Sequence, residues 1–339
     1  MWARRIEGNL KRRRKDESEV SVSVHVVFGS GPVGRATCRA IMRRGLEVRL
    51  VNRRGRNALG SHAAEFADVE VLAGDATDAA FATRAAANAD AVYQTLNPEY
   101  HRWAEDFPPL QRGVLTAAQA SGARYVSMDN VYSYGRPNGR VLDERTPEHP
   151  HTKKGKIRLR MAQELWEAHD DGRVQAVSGR ASDYYGPGAG ASSPLGDRVL
   201  SAVVAGKRVS LFGDPGLVHT YTYIPDIGEG LSALGTAADV TGRAWHLPND
   251  PHPWTSRAMA EELFRLAGTT PRIGSIPKLA LMAVGLFNPT VRELAEMSYE
   301  FDEPFIVDSS DLSALGVHAT PIADALAQTL DAYRTPAAR

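Results

Sequence analysis

Beyond residue 20 the chain alternates short apolar, β-branched runs with longer stretches whose apolar side chains recur every three or four positions. His25–Phe28, Glu47–Val51, Val69–Ala73, Ala91–Tyr93 and Arg124–Ser127 read as strands. Between them Pro32–Arg44, Thr77–Ala87 and Leu110–Ala120 carry a helical period, the first with proline in its opening turn and Gly45 as its stop. Strand and helix alternating from the outset imply right-handed βαβ crossovers and a parallel sheet. The pattern therefore predicts an α/β fold, a Rossmann-type doubly wound parallel sheet. A helix over Gly155–His169 and a strand over Val174–Ser178 continue it. After the loop from Asp183 to Gly188 the alternation loosens. Proline and glycine then punctuate helices near Asp226–Gly235, Thr255–Ala267 and Thr290–Tyr299. We expect an extension over residues 1–20, a nucleotide-binding domain over 21–182, and a smaller, interleaved C-terminal substrate lobe over 183–335 with elements returning to the sheet.

In such sheets a ligand lies beyond the carboxyl ends of the strands, and the loops there carry the candidate chemistry. The first strand breaks into Gly29-Ser30-Gly31-Pro32-Val33-Gly34 and opens a helix. Gly29 allows the tight turn, Gly31 close approach of a pyrophosphate, and Gly34 helix-on-strand contact, while the helix N-terminus favours the anion. A Gly-x-Gly-x-x-Gly alone is weak. Here the strand before it, the helix after it and a second strand at the expected distance point to a dinucleotide. The second strand ends in Asn52-Arg53-Arg54 instead of an acidic residue. A guanidinium fork pairs with a 2′-phosphate and no carboxylate repels it, so these residues favour NADP over NAD. Asp75 and Ala76 after the third strand, and Thr95, Leu96 and Asn97 after the fourth, complete the expected cofactor loops.

Composition narrows the partners. The 339 residues are 43% hydrophobic and 24% charged, as in ordinary globular proteins. Forty basic residues balance forty acidic ones, so no whole-chain field selects nucleic acid or an anionic membrane. No apolar run approaches the ~20 residues of a membrane span. The lone Cys38, inside the first helix, excludes an internal disulfide and suits the reducing cytoplasm. The basic cluster Lys11–Lys15, followed by acidic residues, reads as a solvated, disordered extension without the apolar stretch of a signal peptide. The histidines around Pro150 and His252 lack zinc-site spacing, so no metal is expected, and neither a P-loop nor a Gly-x-Ser-x-Gly elbow occurs.

Taken together, the glycine turn, Gly74-Asp75, the segment Arg124–Gly135, Arg180–Pro187 and His219–Asp226 resemble the extended or atypical short-chain dehydrogenase/reductases, the NAD(P)-dependent epimerase/dehydratase group. The resemblance implies a chemistry in which a Tyr and a Lys four residues apart on one helix work with a Ser or Thr at the fifth strand. The tyrosine trades a proton with the substrate oxygen while hydride moves at the nicotinamide. It also implies a small-molecule substrate and a homodimer.

This chain departs from that pattern. None of its tyrosines has a lysine four residues later. Two registers of the expected helix are open: Thr152 with Lys156, or Lys156 with Arg160 in the roles of tyrosine and lysine. Asn130 falls on the Ser/Thr position and can hydrogen-bond a carbonyl but not relay a proton as a hydroxyl does. Val131-Tyr132 replaces the Asp-Glu pair of sugar-nucleotide dehydratases, and His219 replaces the arginine that holds a nucleotide-sugar diphosphate. Tyr132 is then either a surrogate acid, its pKa lowered by Lys156 or Arg160, or an aromatic wall. Asp183, where relatives carry a nicotinamide-facing asparagine, contacts substrate or caps a turn. With Asp129, Tyr184 and His219 it completes the expected substrate set. The expectation is an NADP-dependent oxidoreductase or epimerase-type enzyme on a small carbonyl or hydroxyl compound. Its alternatives are a non-catalytic NAD(P) sensor or structural protein, and an isomerase using bound cofactor.

Overall fold

The computed structural model describes residues 23–191, 193–277, 281–283, 286–287 and 289–335. The basic and acidic extension over 1–20 lies outside them. Seven strands form one sheet: β1 (Val24–Phe28), β2 (Glu47–Asn52), β3 (Glu70–Ala73), β4 (Ala89–Gln94), β5 (Arg124–Asn130), β6 (Ala176–Ala181) and, after three short strands elsewhere, β10 (Ala244–His246). Their order is β10-β6-β5-β4-β1-β2-β3, and each neighbouring pair runs parallel. The order reverses between β1 and β4, which opens a crevice at their carboxyl ends.

Both faces are covered, which is why the strands read as continuous apolar runs. Val27, Tyr93, Val126 and Val177 turn to one side, against Ile41 of α1 (Pro32–Arg43) and Ile227 and Leu231 of α6 (Ile224–Thr236). Their neighbours Val26, Phe28, Val92 and Tyr125 turn to the other. There they meet α2 (Ala79–Ala85), α3 (Trp103–Ser121) and α4 (Lys153–Asp170). Cys38 is buried in α1, where burial pushes its thiol up to about 12. It is a core side chain.

One helix begins earlier than its sequence suggests. Pro108 and Pro109 place the start at Leu110, yet α3 runs from Trp103 through both prolines. The carbonyls of Ala104 and Glu105, which lose their N–H partners, belong to exposed residues, so the prolines leave no buried acceptor unpaired there.

The remaining chain builds a smaller core. Val199 and Val203 of α5 (Asp197–Val204), Leu263 and Phe264 of α7 (Ser256–Ala267) and Leu326 of α10 (Ile322–Arg334) pack there. They close on the parallel pair β8 (Val209–Phe212) and β11 (Ile273–Ile276). A second parallel pair, β7 (Asp183–Tyr185) with β9 (Tyr221–Tyr223), links this lobe to the sheet. The segment from Asp183 that reads as a loop is thus a short strand. Helix α6 and strand β10 return to the main sheet, so the lobes interleave. The short helices α8 (Pro289–Met297) and α9 (Ser310–Ser313) fill the C-terminal part.

Candidate active site

The glycine turn sits at the crevice. Gly29 takes φ +116°, and a Cβ there would lie 2.6 Å from Thr95 Oγ1. Thr95 in turn donates its amide and its hydroxyl to the Phe28 carbonyl, at 2.9 and 2.8 Å, locking β1 to the end of β4. A Cβ on Gly34 would fall 1.9 Å from the Gly29 carbonyl oxygen, so α1 packs directly on the turn. Gly31 differs: a Cβ there meets nothing within 4 Å. It caps α1, whose first turn has no side-chain cap and no acidic residue. Open space at a helix N-terminus fits a phosphate. Ser30, Pro32 and Val33 complete the turn, and Arg35 Nη1 braces it by donating to the Ser30 carbonyl at 2.7 Å.

Asn52 ends β2 buried. Its Oδ1 accepts the Arg54 amide at 2.9 Å, while its Nδ2 is buried without a partner. An orphaned donor at this position fits a ribose or phosphate oxygen. Arg53 and Arg54 are exposed on the same loop. Asp75 accepts the Thr77 amide and hydroxyl, each at 2.9 Å, in an Asx turn that closes over buried Ala76. Leu96 is half-buried, and exposed Asn97 hydrogen-bonds the Tyr184 phenol, joining the cofactor loop to the substrate lobe.

The helix register is neither of the two expected. Thr152 is the N-cap of α4, its hydroxyl accepting the Gly155 amide at 3.1 Å. Lys156 and Arg160 are exposed, on the outer face of the helix. The inward pair four apart is Lys154 and Arg158, 2% and 4% exposed. Lys154 Nζ lies 4.0 Å from the centre of the Tyr100 ring and donates to Glu293 Oε2 at 2.9 Å. Arg158 donates through Nε to Asp129 Oδ1 at 2.7 Å, and Arg180 Nε reaches Asp129 Oδ2 at 3.2 Å. Arg180 also pairs with Glu148, which accepts the Ser133 hydroxyl at 2.6 Å. Both oxygens of Asp129 are taken by this buried network, so it holds the helix to the sheet and leaves none for substrate. Burial alone would raise its carboxyl, but Arg158 and Arg180 overcome that and hold it below the usual range.

Asn130 ends β5 with its Oδ1 accepting the Tyr132 amide at 3.2 Å. Tyr132 stacks near Trp103, with centroids 6.1 Å apart, and accepts the Tyr100 hydroxyl at 3.4 Å. Burial drives its phenol well above the ordinary value, with Tyr100 and Glu300 adding to the rise. Nothing lowers it as the surrogate-acid idea requires. The aromatic-wall alternative fits the geometry. Opposite stand Asp183 and His219, with Asp183 Oδ2 3.1 Å from His219 Nε2, and buried Glu300 beside them. Tyr100, Trp103, Lys154, Arg158 and Glu300 escape motif reading. The spacing of Lys154 and Arg158, and an acid within the aromatic run Tyr299-Glu300-Phe301, were the available signals.

The sequence profile described as the NAD dependent epimerase/dehydratase family matches residues 25–247. The chain belongs to that family. No curated protein sequence matches it. Among solved structures it is similar to a double mutant of DesIV, a dTDP-glucose 4,6-dehydratase from Streptomyces venezuelae with NAD and DAU bound. Identity is 18% over 92% of this chain and 97% of that one, with a TM-score of 0.73. The UDP-glucose 4-epimerase of Thermus thermophilus in complex with NAD gives 19% identity, 92% and 99% coverage and a TM-score of 0.71. UDP-glucuronic acid 4-epimerase from Bacillus cereus with NAD gives 18%, 92% and 98%, and 0.71. These likenesses show the fold. The family member described here carries the glycine turn at its crevice and places Lys154 and Arg158 on the inward face of α4. Among the described residues no group of three or more His, Cys, Asp or Glu is placed to hold a metal, and no helix is long and apolar enough to cross a membrane.

Proposed function

We propose that this family member is an NAD(P)-dependent oxidoreductase or epimerase-type enzyme acting on a small carbonyl or hydroxyl compound. One observation carries the reading. The glycine turn leaves open space at Gly31, before an uncapped helix, at the crevice where the strand order reverses. Gly29 to Gly34 would hold the pyrophosphate, with Asn52, Arg53, Arg54 and Asp75 around the adenosine. Bound there, the nicotinamide would supply or accept a hydride. The unpartnered Asn52 amide and the two arginines support NADP over the NAD of the structural neighbours' complexes. Asn130, whose Oδ1 is held by the Tyr132 amide, offers its Nδ2 as a hydrogen-bond donor to a substrate oxygen. Histidine in place of the diphosphate-binding arginine, with two carboxyl groups beside it, supports a substrate other than a nucleotide sugar.

Fluorescence titration with NADPH and NADH, followed by a panel of aldehydes, ketones and alcohols, tests this. We expect NADPH to bind more tightly. Arg53→Ala/Arg54→Ala should weaken NADPH by about 10–100-fold, the worth of charge-assisted phosphate contacts, and leave NADH nearly unchanged. No binding of either coenzyme would refute the reading. A second reading, a coenzyme sensor, is favoured by the closed ion pairs of Lys154 and Arg158 where relatives present a phenol and a lysine. Tight binding without turnover across the panel would select it.

A further inference from the structure

Asp183 opens β7 and His219 lies two residues before β9, and their Oδ2 and Nε2 stand 3.1 Å apart. The other ring nitrogen, Nδ1, lies 3.1 Å from the main-chain carbonyl of Glu300. A carbonyl only accepts, so Nδ1 carries a hydrogen. Nε2 then faces Asp183 in one of two ways: as an N–H toward a carboxylate, or as a lone pair receiving an Asp183 O–H. The two descriptions differ only in which side of a single hydrogen bond the proton occupies. The ring is clamped in that orientation by Phe301, 4.6 Å away and within 7° of parallel, and by Phe305 at 5.3 Å.

We propose that the Asp183–His219 pair, with Glu300 behind it, holds the mobile proton of the substrate chamber and trades it with the substrate oxygen. This rests on the functional reading above. In the reducing direction the carbonyl carbon gains a C–H bond from the hydride of a reduced nicotinamide, while the oxygen takes the proton of Asp183 and becomes a hydroxyl. Asp183 is left as a carboxylate beside a neutral ring whose only N–H is Nδ1, and solvent returns the single shared proton to the pair. In the oxidising direction the C–H hydride would go to an oxidised nicotinamide while the O–H bond breaks and its proton passes to the Asp183 carboxylate.

The surroundings suit this role. Asp183 keeps a side-chain exposure of 12%, against 3% for His219, so the carboxyl is the open end of the pair. The titratable groups around them are the phenols of Tyr100, Tyr132, Tyr184, Tyr221 and Tyr299 and the carboxyl of Glu300. Burial raises every one, which disfavours their charged forms beside the pair. Glu300 is raised well above the usual carboxylate range by burial first and by Asp183 second, and it accepts a long 3.5 Å contact from the Tyr299 hydroxyl.

Nitrogen-15 NMR of the full chain follows the His219 ring. We expect Nδ1 to stay protonated through the titration, and the Nε2 resonance to move in Asp183→Asn. An unprotonated Nδ1, or an Nε2 indifferent to Asp183→Asn, overturns the assignment. On the substrate found by the panel, Asp183→Asn should lower kcat by about 10²–10⁴-fold, the usual worth of a positioned acid or base, and erase one limb of the pH profile. NADPH affinity should stay within about twofold, because Asp183 stands outside the glycine cradle. A kcat within about twofold of wild type, or no turnover by wild type on any compound, refutes the proton-transfer role. Failure to bind either coenzyme would refute the functional reading and the transfer to substrate with it, while the NMR result still judges the shared proton on its own.

Discussion

Gly31 and Gly34 stand three positions apart in one motif, yet they are glycines for different reasons. Gly34 has no room for a methyl group, because the Gly29 carbonyl occupies that place. Gly31 has room within the protein, so its missing side chain serves something outside it. Gly34→Ala should therefore lower stability by about 1–3 kcal/mol, the range for overpacking, in urea unfolding. Gly31→Ala should cost about 1 kcal/mol or less, as its φ of −66° suits alanine, and should weaken coenzyme binding at least tenfold by calorimetry. Equal losses of stability in both variants would contradict the distinction. The motif made these roles legible in the sequence because close approach forces glycine. Glu300 was illegible: its neighbours Asp183 and His219 come from distant segments, and only the folded chain brings the three together.

On the scale of elements, α4 shows what spacing does and does not tell. A repeat of four puts two side chains on one face but leaves open which face turns inward. Packing decided that. Trp103, Phe107, Ile157 and Met161 form an apolar patch that draws in the face of Lys154 and Arg158 and leaves Lys156 and Arg160 in water. The strands β1 to β6 were legible because a sheet covered on both sides needs unbroken apolar runs. In the second lobe the helices near Asp226–Gly235, Thr255–Ala267 and Thr290–Tyr299 were legible, but its strands of three or four residues are too short for a period to show. The helix face is held by Asp129 between Arg158 and Arg180. Asp129→Asn leaves buried Arg158 without its carboxylate and Arg180 with Glu148 alone, and should cost about 3–5 kcal/mol by urea unfolding. The loss should shrink below pH 4. The depressed Asp129 carboxyl stabilises the fold only above its ordinary range, and that contribution fades as acid protonates it. A loss under about 1 kcal/mol at pH 7 would show that the network does not hold the helix.

For the whole molecule, acid response sums over all the buried titratable groups, and two of them, His25 and Asp226, act against each other. His25, hydrogen-bonded through Nδ1 to the Tyr93 hydroxyl at 2.7 Å, is lowered by burial from 6.5 to about 4. The unfolded chain takes up this proton as pH falls through 6.5 while the folded chain refuses it until about 4, so stability is lost across that window. Asp226 opens α6 and accepts the Thr320 amide and hydroxyl, each at 2.7 Å, tying the C-terminal segment to the sheet. Burial raises it from 3.8 to about 6. The folded chain therefore binds its proton first, and stability is gained as pH falls from 6 toward 3.8. The two windows overlap almost completely. Relative to wild type, His25→Gln should make the protein gain stability on going from pH 7 to pH 4.5, and Asp226→Asn should make it lose stability over the same interval. Urea midpoints at the two pH values measure both. Shifts of the same sign in the two variants would mean that at least one of these groups titrates in the fold as it does in water.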